Sequence, residues 1–409
     1  MRILLVGINY LPEVTGIGPF NVGLAEYLAA EGHDVTVLTA FPWYPQWRID
    51  PAYRRKRPFM VERIGGVRII RSPILLPAAR QTTFRRVVFD SSFALTALPA
   101  SAGIGGLDAV ICVSPPLQLG ITAWMIARTR RAKLILHVQD IVPDAALSSG
   151  MMHAGRAVAM SRGLEGWVYR RADRITVISE GFRENLLAKR VPVDKLEVLP
   201  NWVETGLFKS KADPGVRSAL GAPNGETLVL HTGNMGAKQG LETVVDAAAQ
   251  LKSEDIAITL IGDGQARAAL ESRAAELGVH KLRFLPLQSD LPATLAAANI
   301  LVLSQRAQVT DSAAPSKLLT YMAAGKPIVA TVNSSSEAGQ LIERAKCGLV
   351  VQPENPADLA AALLRLHRHP EMHHAMGVAG RRHVARHYDR KLILKSWKEL
   401  VETSAAKRS

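Results

Sequence analysis

Short apolar runs alternate with amphipathic segments along the whole chain, and no other feature restricts its folding as much. "RILLVGI" at the amino end is followed by a helical pattern near residues 19–31, then by "DVTVLTA", and later by "DAVICVS", "AKLILHVQD" and "RITVIS". Runs this short and this apolar suit strands covered on both faces, and strand-helix-strand units in series make a parallel sheet flanked by helices. The rhythm restarts at "TLVLHTG" (227–233) and continues through "IAITLIGDG", "LRFLPL", "ANILVLS" and "KPIVATV". The expected fold class is α/β, with two facing Rossmann-like, doubly wound parallel-sheet domains and a cleft outside the carboxyl ends of their strands. A length of 409 residues agrees, being too great for one ordinary core.

The stretch "NWVETGLFKSKADPG" mixes proline, glycine and charge without apolar periodicity, which marks a linker over 201–215. The first domain then covers 1–200 and the second 216–380. Residues 381–409 form a basic helix and tail that would pack back on the first domain.

Only two cysteines occur, Cys112 and Cys347, both inside apolar runs, so buried free thiols and a reducing compartment are expected. The opening apolar run leads into a glycine-rich turn and not a cleavage site, and reads as the first strand. The most apolar long window, Val87 to Ile104, contains Asp90 and serines, which argues against a spanning helix. The net charge is +14, and dense basic clusters stand in the first half: "YRRKR" (53–57), "FRRVV" (84–88), "RTRRAK" (128–133) and "YRRAD" (169–173). No nucleic-acid module accompanies these arginines, so the expected partner is an anionic membrane surface and not nucleic acid; plain solvated charge is the alternative. The expected location is cytoplasmic, on the inner face of the plasma membrane.

Glycine clusters follow three strands: "TGIGPFNVG" (15–23, with Gly16 and Gly18), "TGNMGAKQG" (232–240, with Gly233) and "GDG" (Gly262 and Gly264). Each can bring backbone amides close to phosphate or serve as a tight turn; none has dinucleotide-fingerprint or P-loop spacing. In "APSKLLTYMAAGKPIVA" (314–330), Pro315 can occupy the first helical position and Gly325 the left-handed cap. Ser316 and Lys317 then lie at the positive end of a helix, where a cation is out of place unless an anion sits there too. Lys317, with the amides around Leu318, is thus a candidate anion ligand. "FPWYPQW" gathers Trp43, Tyr44 and Trp47 for sugar stacking, membrane contact or loop packing. In "LILHVQD", His137 and Gln139 share one strand face, and Gln139 and Asp140 end the strand where ligands bind. The histidines from His367 to His387 lie in a basic tail with few carboxylates, so a metal site is not expected, and no Asp-x-Asp triplet is present.

Taken in order, "TGNMGAKQGLETVVDAA", "LIGDGQARAALESRAAELG", "PSKLLTYMAAGKPIVA" and "CGLVVQPENPADLAAAL" resemble the nucleotide-sugar domain of glycosyltransferase family 4. "PEVTGIGPFNVGLAEYLAAEGHDVTVLTAFPWYP" and "HVQDIVPDA" resemble its acceptor domain, and the whole chain is similar to the colanic acid biosynthesis glycosyltransferases. The resemblance implies two facing Rossmann-like domains of the GT-B type. It also implies retaining transfer without metal or cofactor, from a nucleotide-sugar donor to a lipid-linked saccharide acceptor.

Carried over by position, the family's diphosphate-clasping arginine and lysine fall on Asn234 and Gln239, with Lys238 one place early. Its two glutamates fall on Ser312 and Thr320, and a histidine before the aspartate falls on Gln139. With those charges absent, Lys317 and the helix start at Pro315 to Leu318 become the expected diphosphate ligands, and Lys317 and Asp140 are the expected catalytic residues, a helix N-cap being the alternative for Asp140. Trp43, Tyr44, Trp47, His137 and Gln139 complete the expected acceptor site. Colanic acid relatives point to GDP-fucose as donor. The alternatives are a nucleotide-sugar epimerase of similar fold and a degenerate, non-catalytic sugar- or lipid-binding protein.

Overall fold

The computed structural model describes residues 1–14, 16–44, 46–54, 58–76, 83–141, 156–208, 211–309 and 316–406, the side chains of 83, 84, 156 and 157 excepted. Ser312 and Pro315, expected at the donor site, and Arg55 and Arg57 of the first basic cluster lie outside the described residues. Two compact units are present, Met1–Pro200 with Leu394–Ser409, and Asn201–Ile393.

The first unit is built on strands β1 (Arg2–Val6), β2 (Asp34–Ala40), β3 (Met60–Ile64), β4 (Val67–Ser72), β5 (Ala109–Ser114), β6 (Lys133–Val138), β7 (Arg174–Val177) and β8 (Leu196–Val198). Their order in the sheet is β3-β4-β2-β1-β5-β6-β7-β8, parallel except for the antiparallel pairing of β3 on β4. The order reverses between β1 and β5, which makes their carboxyl ends the switch point where ligands bind in such sheets. Every residue of β5 is buried, as expected of a central strand covered on both faces.

The second unit contains β9 (Thr227–Thr232), β10 (Ile256–Ile261), β11 (Leu282–Leu285), β12 (Ile300–Ser304), β13 (Ile328–Thr331) and β14 (Gly348–Val351). All pair in parallel in the order β11-β10-β9-β12-β13-β14, with the switch point between β9 and β12. Two apolar clusters cover the sheet. One includes Leu230, Leu301, Leu318, Met322 and Cys347; the other includes Val229, Val245, Ile258, Val302 and Leu363. Several of its helices start on side-chain caps: Asp290 accepts from the Ala293 amide, Ser336 from Gly339, and Asn355 from Ala357 and Asp358.

The segment 201–215 is more than a tether. Val203 exchanges backbone hydrogen bonds with Tyr388 and Arg390, and Phe208 is buried in the second unit's core. The basic tail forms two helices, Glu371–His387 and Arg390–Ala406. The second is seated on the first unit: Trp397 is buried edge-on against His137 at 4.8 Å, and Lys398 and Glu402 lie 3.5 Å and 3.3 Å from Glu31 and His33. Cys112 and Cys347 are buried and unpaired, and burial pushes both thiols up to about 12. Among the described residues no helix is long and apolar enough to cross a membrane.

The window from Val87 falls in the helix Thr83–Ala100, whose Asp90 is buried beside Arg86 at 3.3 Å and has one oxygen without a hydrogen bond. Burial raises its carboxyl from 3.8 to about 6. The folded state holds the proton more tightly than the unfolded chain, so stability falls as pH rises from 4 to 6 and stays lower above. Asp90→Asn should therefore stabilise the protein at pH 7.5 by up to about 3 kcal/mol and have little effect at pH 4. Urea unfolding at the two pH values checks this; an equal effect at both would contradict it.

Candidate active site

At the switch point of the second unit, β9 ends in His231 and Thr232 and turns at Gly233, whose φ is +117°. The neighbouring turn after β10 presses against it. A Cβ on Gly262 would stand 1.9 Å from the Gly233 carbonyl oxygen, and one on Gly264 2.5 Å from that of Met235. Glycine at 262 and 264 is thus required by the meeting of two backbones, whatever else the loop does. Arg306 braces the same loop from the far side. Its Nε donates to the Ala237 carbonyl at 2.7 Å, and its guanidinium pairs with Glu242 at 2.9 Å and Glu354 at 3.0 Å. Of the loop positions expected to hold the diphosphate, Gln239 accepts from the Gly236 amide at 3.2 Å, while Asn234 and Lys238 are exposed.

Lys317 lies in the first turn of the helix Ser316–Ala324, and its Nζ is 3.2 Å from Nε2 of His231. Its stem crosses directly over the glycine turn, since a Cβ on Gly233 would meet Lys317 Cε at 3.0 Å. His231 is fully buried, and its Nδ1 is 3.1 Å from the Val302 carbonyl, which can only accept. The ring proton therefore belongs on Nδ1, leaving the Nε2 lone pair for the ammonium. Burial, then the neighbouring lysine, holds His231 well below its ordinary value, so it is neutral. Burial also lowers Lys317 to about 8. Among the described residues Lys317 makes no ion pair.

Tyr321 accepts the Thr232 amide at 2.8 Å and fixes the helix to the turn. Thr320 donates to the Ser316 carbonyl at 3.1 Å, and the Leu318 side chain is in the core, so Leu318 can contribute to a site only through its backbone.

In the first unit, the loop after β1 is organised by a buried carboxylate. One oxygen of Glu13 accepts the Trp43 and Tyr44 amides, each at 2.8 Å, and the other accepts from Asn9 at 2.8 Å. Fully buried Arg71 donates to the Leu11 carbonyl at 2.6 Å and pairs with Glu62. Gly18 has a local reason, since a Cβ there would be 2.7 Å from the Glu13 carbonyl; Gly16, at φ +65°, lies under the Tyr44 ring.

Trp43 is 5% exposed and packs edge-on against Phe89 at 4.8 Å and Trp47 at 4.6 Å. For Trp43 the packing alternative holds, because its faces are covered; Tyr44 and Trp47 remain half-exposed. His137 and Gln139 also turn inward. The Gln139 amide lies 2.7 Å from His137 Nε2, and His137 Nδ1 lies 2.8 Å from the Thr176 hydroxyl. Burial lowers His137 to about 3, which makes it a neutral core residue and removes it as a direct acceptor ligand. Asp140, by contrast, is exposed at the end of its strand. The tail histidines His383 and His387 stack with ring centroids 4.6 Å apart, and no group of three potential ligands forms among the described residues.

Residues 15–202 match the family described as "Glycosyl transferase 4-like domain", and residues 214–383 match "Glycosyl transferases group 1". The chain is 33% identical over 374 residues to the WcaI protein of Escherichia coli K12, named for glycosyl transfer in colanic acid biosynthesis, covering 89% of this chain and 91% of that one. The chain belongs to the GT-B glycosyltransferases. This glycosyltransferase is also similar to the GDP-mannose-dependent alpha-mannosyltransferase of Mycolicibacterium smegmatis, at 28% identity over 66% of each chain. Its fold matches Anabaena HepE, solved in complex with UDP, with a TM-score of 0.74, 15% identity, and coverage of 98% of this chain and 100% of that one.

Reading the sequence alone passes over His231, Glu13 and Arg71. Each is an ionisable residue next to apolar ones in a strand or the loop after it ("LVLHTG", "LPEVTG", "RIIRS"), and that is the one signal by which they could be found. The turn geometry of this glycosyltransferase yields a direct test. Gly262→Ala should cost about 4 kcal/mol or more, because a backbone must move, whereas Gly225→Ala, at φ +91° with no atom within 4 Å, should cost about 1 kcal/mol. Equal losses in thermal unfolding would refute the close approach.

Proposed function

We propose that this glycosyltransferase retains anomeric configuration and works without metal, moving a sugar from a nucleotide-diphosphate donor to a lipid-linked polysaccharide precursor at an anionic membrane surface. GDP-fucose is the proposed donor. One observation carries the reading: at the switch point of the second sheet, a half-buried lysine cation without an ion pair among the described residues lies beside a glycine turn and the first turn of a helix. Such a place suits a diphosphate, whose charge the ammonium and the backbone amides of the helix start can share. Ser316, Leu318 and the 233–240 loop, through Asn234, Lys238 and Gln239, would line the donor, with Thr320 near its ribose. Asp140, Tyr44 and Trp47 would meet the acceptor.

In retaining transfer by front-face departure, the leaving diphosphate oxygen itself takes the acceptor proton, so no side-chain base is required. Catalysis then rests on stabilising negative charge as the glycosidic bond breaks. Lys317→Ala should lower turnover about a hundredfold with saturating GDP-fucose, more than it weakens donor binding, and Thr320→Ala should do much less. Steady-state transfer measures both; full turnover in Lys317→Ala would overturn the diphosphate assignment.

A surface in the first unit supports the membrane reading. The helices Thr83–Ala100, Leu119–Thr129 and Arg156–Arg171 pack side by side and expose Leu95 (74%) and Met160 (76%), with Val87, Ile121 and Met125 also exposed. Arg171 stacks on Trp124 at 5.1 Å and on Trp167 at 5.3 Å in the same layer. Apolar side chains among arginines suit an anionic lipid interface. Flotation with phosphatidylglycerol vesicles should show binding that weakens steeply from 50 to 500 mM salt and falls further in a Leu95→Glu, Met160→Glu variant. Salt-insensitive binding, or none, would remove this partner.

A further inference from the structure

We infer that His231 is a positioning residue for Lys317: it holds the ammonium over the Gly233 turn without neutralising it, so that the full charge is available to the donor diphosphate. The inference rests on the reading of Lys317 as a diphosphate ligand and adds what makes that ligand competent.

His231 occupies a strange place for an ionisable ring. It lies in β9, the strand paired with both β10 and β12, and is 0% exposed within the apolar run "TLVLHT". A leucine there would bury area without needing hydrogen bonds, whereas a buried imidazole is tolerated only if both nitrogens are satisfied. One is satisfied by the neighbouring strand, at the Val302 carbonyl; the other is satisfied by Lys317 and by no other group among the described residues. The ring is thus anchored to the sheet on one side and offers a fixed acceptor on the other.

The choice of acceptor matters. A carboxylate would bind the ammonium more strongly, but it would also cancel the charge and compete with an incoming diphosphate. A neutral imidazole accepts one of the three N–H groups and leaves two, with the positive charge, directed to the ligand. Its neutrality is itself secured by burial and by the cation beside it, so a second charge does not develop. Glycine at 233 completes the device, since a Cβ there would stand 3.0 Å from Lys317 Cε and push the stem off the turn.

The test uses the full chain and titrates GDP and guanosine by calorimetry. His231→Leu should weaken GDP about tenfold, the loss of one hydrogen bond to a charged group, and leave guanosine within about twofold. His231→Gln, which restores an acceptor, should recover GDP affinity to within about threefold. Unchanged GDP affinity in His231→Leu, parallel loss of GDP and guanosine, or no recovery in His231→Gln would overturn the inference. Lys317→Ala separates the two levels: wild-type GDP affinity there sinks the diphosphate reading itself, while weak GDP binding there beside normal binding in His231→Leu sinks the role of His231 alone. Should His231→Leu fail to fold, nitrogen-15 NMR of histidine-labelled protein decides. The His231 Nε2 signal should move when Lys317 is replaced by alanine, and a signal that stays in place refutes the contact.

Discussion

In the second unit a backbone carbonyl occupies the space where a side chain at position 262 would be, and much of the site follows from that contact. It forces glycine at 262 and presses the turn after β10 onto the turn after β9. The Gly233 turn then takes a positive φ, and its missing side chain opens the path along which Lys317 reaches His231. Tyr321 and Arg306 fix the same loop from two further directions, through the Thr232 amide and the Ala237 carbonyl. The lysine stem is therefore laid against a turn held by several contacts, which is the geometry that the proposed stabilisation of a leaving diphosphate calls for.

The first unit solves a similar problem with buried ions. Glu13 accepts three hydrogen bonds, and Arg71 donates to a carbonyl of the same loop while paired with Glu62. A buried carboxylate and a buried guanidinium are costly in isolation, and both are satisfied here by fixed partners, so their return is geometric: the chain after β1 and the aromatic turn at 43–44 are held in one relation. Trp43 belongs to that framework. The exposed aromatic faces nearby are those of Tyr44 and Trp47.

The architecture was legible because it is written in repetition. Apolar runs such as "DAVICVS" and "IAITLIG" coincide with the interior strands β5 and β10, and the restart of the rhythm at "TLVLHTG" marks β9 and the second sheet. What was not legible depends on contacts distant in sequence. Alternation placed His137 and Gln139 on one face of β6, but not that Trp397 and Thr176 would close over that face. The glycines of "GDG" look like a phosphate loop, and only the neighbouring turn reveals their steric reason. His231 and Lys317 are 86 residues apart, and no local pattern joins them.

Burial weakens the hold of Lys317 on its proton. Lowering Lys317 from 10.5 to about 8 means that the folded chain holds an ammonium less readily than the unfolded chain does, a cost of about 3 kcal/mol at neutral pH that fades as pH rises from 8 to 10.5. A neutral residue there would be more stable, and a lysine kept at such a cost fits the proposed role in holding an anion. A dianion at the proposed site removes that cost on arrival, because its field favours the protonated amine. Asn234 and Gln239 add no charge to the loop, whose own cation is the exposed Lys238, so less charge has to be buried beside the proposed diphosphate site than a clasping arginine and lysine would bring.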